Sequence, residues 1–154
     1  MARETWKEDL RKHFENIKVI EKCKAETISH FDQFCEFIAE PAFESLGDEL
    51  KIYGIRTKYQ KAKEHFIHLQ VCFPGSKADN FHYRIVLPKN SIELKLKLVT
   101  KGRRSKKSSL DEKLEDFMCH VTPADVLKLS KEDLIRDILE HYKDYNYEAL
   151  TSSS

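Results

Sequence analysis

The amino-acid sequence predicts an α+β fold, and three observations carry that prediction. Apolar residues recur at helical spacing through the first third. They switch to alternation from Ile55, and helical spacing returns after a set of helix-start signals near the end. With 154 residues, 40% of them hydrophobic and 34% charged, residues 1–150 are expected to bury a core as one domain. Only four Gly and four Pro occur, so connections between elements should be short.

Trp6, Leu10, Phe14, Ile17 and Ile20 repeat every three or four residues, as do Ile28, Phe31, Cys35 and Ile38. The spacing predicts one long helix over residues 4–40, or two in line with a break near Lys22–Glu26, where the stripe drifts. Pro41 brings no backbone N–H, so it starts a new helix or kinks the old one. Phe43, Leu46, Leu50 and Tyr53 carry the stripe to Gly54, which is placed to cap a helix C-terminus.

From Ile55 the period becomes two. Ile55, Thr57 and Tyr59; Ile67, Leu69, Val71 and Phe73; Phe81, Tyr83, Ile85 and Leu87; and Ile92, Leu94, Leu96 and Leu98 each alternate with more polar neighbours. Four half-buried strands in succession predict an antiparallel meander. Folding the hairpins about Lys63, Lys77 and Lys89–Asn90 sets Tyr59 opposite Ile67, Phe73 opposite Phe81, and Ile85 opposite Leu94. Every fold matches apolar with apolar, and a one-residue slip would destroy the match. After the strands, Ser109 and Glu112 form an S-x-x-E capping box ahead of Leu110, Leu114, Phe117 and Met118, predicting a helix. Thr122–Pro123 and Ser130 with Asp133 are two further start signals. The last opens a helix striped by Leu134, Ile135, Ile138, Leu139 and Tyr142, and residues 151–154 are expected to form a disordered tail. The C-terminal helices should pack on one face of the sheet, beside the N-terminal ones.

The net charge of +1 conceals a segregation. Residues 1–50 carry 7 basic against 12 acidic side chains, residues 51–108 carry 15 against 3, and residues 109–154 carry 5 against 11. On the predicted register one sheet face collects Arg56, Lys58, His68, Gln70, Cys72, His82, Arg84, Lys95 and Lys97, with Glu93 its one acid. The stretch after it adds Lys101, Arg103, Arg104, Lys106 and Lys107. Like charges across a strand pair repel, so such a face is wet, covered by the chain's own acidic segment, or offset by a bound anion. The anionic reading predicts contact with a polyanion, nucleic acid above all, through Arg56, Lys58, Arg84, Lys95, Lys97 and the 101–107 stretch. The aromatic residues fall mainly on the apolar face. Phosphate contact is therefore expected in place of base stacking.

Two other functional readings follow. Cys72 and His82 are expected as cross-strand neighbours, a thiol–imidazole pair for a small enzyme, with Arg84 as its anion-stabilising partner. The N-terminal stripe is longer than a short-stranded sheet can cover, so Trp6, Leu10, Phe14 and Ile17 are expected at the interface of a homodimer. Histidines 65 and 68 resemble an HxxH metal pair, but strand residues three apart point to opposite faces, so no metal site is expected. No phosphate-cradling, dinucleotide, zinc-protease, serine-hydrolase or kinase motif occurs, and no cofactor is implied. The function expected is therefore a non-catalytic binding module. No apolar run approaches the roughly 20 residues that span a bilayer. The opening MARETWKEDLRK lacks a secretory h-region, and the four cysteines are widely spaced, so a cytoplasmic protein with reduced thiols is expected.

Overall fold

The computed structural model describes residues 5–72, 81–102 and 111–151. Helix α1 (Thr5–Phe34) runs through one π-helical turn (Cys35–Ala39) into α2 (Glu40–Lys51), and the residues flanking that turn keep right-handed helical backbone. Of the two alternatives the unbroken helix is the one formed, and no break occurs near Lys22–Glu26. There Thr27 Oγ1 donates to the Cys23 carbonyl at 2.8 Å within an unbroken helix. The irregularity comes later, directly before Pro41. That proline cannot supply its hydrogen bond to the turn before it, and the wider π-helical turn takes up the mismatch. Helix α2 closes as the sequence predicts. Gly54 adopts φ +76°, its amide donates to Lys51 O, and the Ile55 amide reaches back to Leu50 O, both at 3.0 Å.

The middle of the chain forms a sheet of five antiparallel strands in sequence order: β1 (Thr57–Ala62), β2 (Phe66–Val71), β3 (Phe81–Val86), β4 (Lys97–Gly102) and β5 (Asp111–Asp116). The meander is the expected one, but with five strands in place of four. The fifth replaces the helix predicted after Ser109. Its sequence DEKLED carries a single apolar residue, and its register with β4 sets Glu112 opposite Lys101 and Asp116 opposite Lys97. Opposite charges across a strand pair stabilise it, and this long-range match outweighs the local capping signal. Ser109 and Leu110 lie outside the described residues, as does Phe73.

The registers differ from those expected by even numbers of residues. Tyr59 pairs with Leu69, not Ile67; Val71 pairs with Phe81, not Tyr83; Ile85 pairs with Leu98, not Leu94. An even slip keeps each side chain on its predicted face, so the apolar face survives every correction. The largest slip has a clear cause. Leu94 and Leu96 are buried, yet they precede β4 in an irregular segment with Leu96 O accepting from Phe117 N at 3.1 Å. They serve the core as plugs from the connection between β3 and β4.

One sheet face is covered by the second half of α1, by α2 and by α3 (Lys131–Thr151). Phe31, Phe34 and Phe43 meet Ile67, Leu69, Tyr83 and Ile85 in a core from which water is excluded. Helix α3 starts as predicted, with Ser130 N donating to Asp133 Oδ2 at 3.0 Å and Asp133 N to Ser130 Oγ at 3.1 Å. The Thr122–Pro123 signal opens a 3₁₀ turn, Pro123–Lys128. Helix α3 extends to Thr151, the first residue of the tail expected from the sequence, and residues 152–154 lie outside the described residues. Gly102 in β4 lets Tyr145 approach, since a Cβ there would lie 2.5 Å from the ring. Among the described residues no helix is long and apolar enough to cross a membrane.

Candidate functional site

The registers arrange the sheet face that no described helix covers in three transverse rows. One reads Lys58, Gln70, His82, Lys101, Glu112. The next reads Gln60, His68, Arg84, Val99, Leu114, and the third Ala62, Phe66, Val86, Lys97, Asp116. This face carries Lys58, Arg84 and Lys97 as expected, and Lys101, expected in the stretch after the strand, joins them within β4; the face is mixed, with Phe66, Val86, Val99 and a 68% exposed Leu114 among the charges. Lys97 forms an ion pair with Asp116, and Lys101 lies 3.7 Å from Glu112. Lys97 holds the Asp116 carboxyl below its ordinary range by hydrogen bond and charge. The acidic segment thus neutralises part of the basic face from its edge, as strand β5, without folding over it. Lys95 leaves the predicted arrangement altogether. It lies in the irregular segment before β4, and Val99 takes the place opposite Arg84. Arg103, Arg104, Lys106 and Lys107 lie outside the described residues.

At the centre of this face Arg84 Nε donates to His68 Nδ1 at 2.9 Å, and His68 Nε2 lies 2.9 Å from His82 Nδ1. Because Nδ1 of His68 accepts from a guanidinium, its proton resides on Nε2 and is donated to His82. Burial, then the charges of Arg84, His82 and Lys101, push the His68 imidazole down to about 4. The Arg84 guanidinium also stacks on Phe66, 4.0 Å from the ring centroid. The chain Arg84–His68–His82 holds its members in place, and both His68 nitrogens are engaged. The sequence indicated a basic face but not this chain, because a two-residue error in register hides it.

The expected Cys72–His82 pair is not formed across the strands. Gln70 stands opposite His82, and Cys72 lies beyond β2, where its amide donates to Arg56 O at 2.9 Å. The thiol–imidazole reading loses the geometry it rested on. Cys23, Cys35, Cys72 and Cys119 are all free thiols, and burial pushes that of Cys35 up to about 12, which makes it unreactive.

A polar cluster under the sheet escaped the sequence reading. The buried Tyr83 hydroxyl donates to Asp137 Oδ2, and His141 Nε2 lies 3.7 Å from that oxygen and 3.5 Å from Glu115 Oε1. Burial first, then Asp137, raises the Tyr83 phenol well above its ordinary value. Asp137 and His141 stand one turn apart beside the apolar stripe of α3, and that interruption was the available signal. The cluster ties α3 to β3 and β5, a structural task.

The first half of α1 is different in kind. Trp6, Leu10, Phe14 and Ile20 are 57%, 47%, 58% and 43% exposed, and Ile17 is half-buried. No residue from Thr5 to Lys22 is buried, so this part of the helix projects as an arm. Its polar side is laced by Arg11, which bonds Glu8 at 2.6 Å and Glu15 at 3.0 Å. Comparison with protein-family models, with curated proteins and with solved structures finds no match to this chain.

Proposed function

We propose that the chain is a non-catalytic interaction module of the cytoplasm, with the projecting half of α1 as its contact element. One observation carries this reading: a row of large apolar side chains, Trp6, Leu10, Phe14 and Ile20, stays about half exposed on one helix. Contiguous apolar surface of this kind marks a site of association. The arm is also braced to remain helical without a core. Arg11 pairs at both helical spacings, and Lys24 lies 3.8 Å from Glu21. A preformed helix loses less conformational entropy on docking than a disordered segment does. The mode that fits is a helix laying its apolar side along another helix or into a groove.

The test is affinity capture with the full chain as bait, run in parallel with a Leu10→Glu, Phe14→Glu variant whose circular dichroism matches the parent. Partners held by the parent should be lost from the variant. Retention of every partner would overturn the reading.

A second reading rests on Arg56, Lys58 and Arg84, for which no ion pair with a carboxylate occurs among the described residues. These charges, with the basic residues of 103–107, suit contact with a polyanion such as nucleic acid. Binding to duplex DNA should then weaken by about 0.9 log units per phosphate contact for each log unit of salt. Arg103→Glu with Arg104→Glu should weaken it further. Salt-independent binding would count against this reading.

A further inference from the structure

Taking the arm as the contact element, we infer that its occupant is the arm of a second copy, paired antiparallel about a two-fold axis beside Glu15. The seam is a heptad one. Trp6, Leu10, His13, Ile17 and Ile20 follow one another at spacings of four, three, four and three residues. The same phase continues through Lys24 to Thr27, Phe31 and Phe34, which are buried against the body. One stripe therefore serves the core at its lower end and lies open at its upper end.

Charge and apolar matching select the register. With the axis beside Glu15, Leu10 faces the partner's Ile20 and His13 faces the partner's Ile17. Trp6 lies over the stem of the partner's Lys24. Along one flank Phe14 meets the partner's Phe14, and Lys7 stands opposite the partner's Glu21, twice by symmetry. Along the other flank Asn16 meets the partner's Asn16. The chain is thus complementary to itself in both apolarity and charge, as an isologous interface requires. A parallel pairing would set Lys24 against Lys24, supply no opposite-charge flank, and bring both bodies to the same end. The antiparallel pairing places the bodies at opposite ends. It also brings each arm tip near the level of Lys24, where the partner's helix begins to pack on its own body.

Sedimentation of the full chain across micromolar concentrations tests the inference. The parent should dimerise. Lys7→Glu and Glu21→Lys should each weaken dimerisation about tenfold, because two symmetric contacts become repulsive, and the double variant should recover it. In a chain with Cys23, Cys72 and Cys119 changed to Ser, Phe14→Cys should cross-link to itself under mild oxidation and Leu10→Cys should not. Efficient cross-linking of Leu10→Cys alone, or absence of rescue in the double variant, would overturn the register. A parent that stays monomeric would overturn self-pairing and leave the arm open to a different protein. A dimer that persists in Leu10→Glu, Phe14→Glu would place the interface elsewhere and overturn the arm reading as well.

Discussion

The two halves of α1 carry one heptad stripe and meet opposite fates. Phe31 and Phe34 in the lower half are buried, whereas Trp6, Leu10 and Phe14 in the upper half are about half exposed. Composition does not separate them; reach does. A six-residue strand is about 20 Å long, whereas the 30 residues of α1 span about 45 Å. The sheet therefore cannot cover the whole helix, and the excess stripe stays exposed. An apolar pattern in sequence marks one side of a helix, and the geometry of the neighbours decides how much of it is buried.

The contrast can be broken most forcefully at its aromatic residues. Phe34 is fully buried and meets Phe117 edge-on with centroids 5.7 Å apart. Phe34→Ala should cost about 3–5 kcal/mol of unfolding free energy in urea. Phe14→Ala should shift the unfolding of the dilute monomer by no more than about 0.5 kcal/mol. Equal effects would mean that the arm packs on its own body.

Polar contacts should divide the same way, on a smaller scale. Tyr83→Phe removes the donor that Asp137 Oδ2 uses beneath the sheet, and should cost about 1–3 kcal/mol because a buried acceptor loses its partner. Arg11→Gln, which breaks two exposed ion pairs on the arm, should leave the urea midpoint of the body unchanged. Gly102→Ala tests the body once more. The new methyl must displace the Tyr145 ring, so stability should fall by about 1–3 kcal/mol.

The most specific test is a titration. His68 is held neutral in the folded chain, with its titration pushed down to about 4 by burial and by Arg84. The unfolded chain takes up that proton near pH 6.5. The contribution of neutral His68 to stability is therefore complete above about pH 6.5 and is lost progressively as the pH falls toward 4. In an NMR titration His68 should have its midpoint near 4, and Arg84→Met should raise that midpoint. A His68 midpoint near 6.5 in the parent would show that the Arg84–His68–His82 chain does not form in solution.

Much of the architecture was legible in the sequence because it depends on local or periodic information. The change of period at Ile55, the Gly54 cap and the Ser130–Asp133 box all held, as did the face assigned to Lys58, His68, Arg84 and Lys97. Alternation has a period of two, so it assigns faces but is blind to even slips in register. That blindness placed Cys72 opposite His82 and concealed His68 between Arg84 and His82. The Ser109–Glu112 signal failed for a related reason. A capping box is worth a local hydrogen bond or two, whereas DEKLED gained a full ladder with β4 and two charge matches, visible only once Lys97 and Lys101 were in place.

By itself, then, the sequence determined which side of each element is apolar, where helices close, and that the middle third alternates. These follow from bonds and spacings within a few residues of one another. Only the tertiary structure decided which strand residues face each other, that Leu94 and Leu96 plug the core from outside the sheet, that an acidic segment would neutralise Lys97 and Lys101 at the edge, and where along α1 the core ends. Each of these depends on groups far apart in the chain competing for the same space, and a periodic pattern carries no record of that competition.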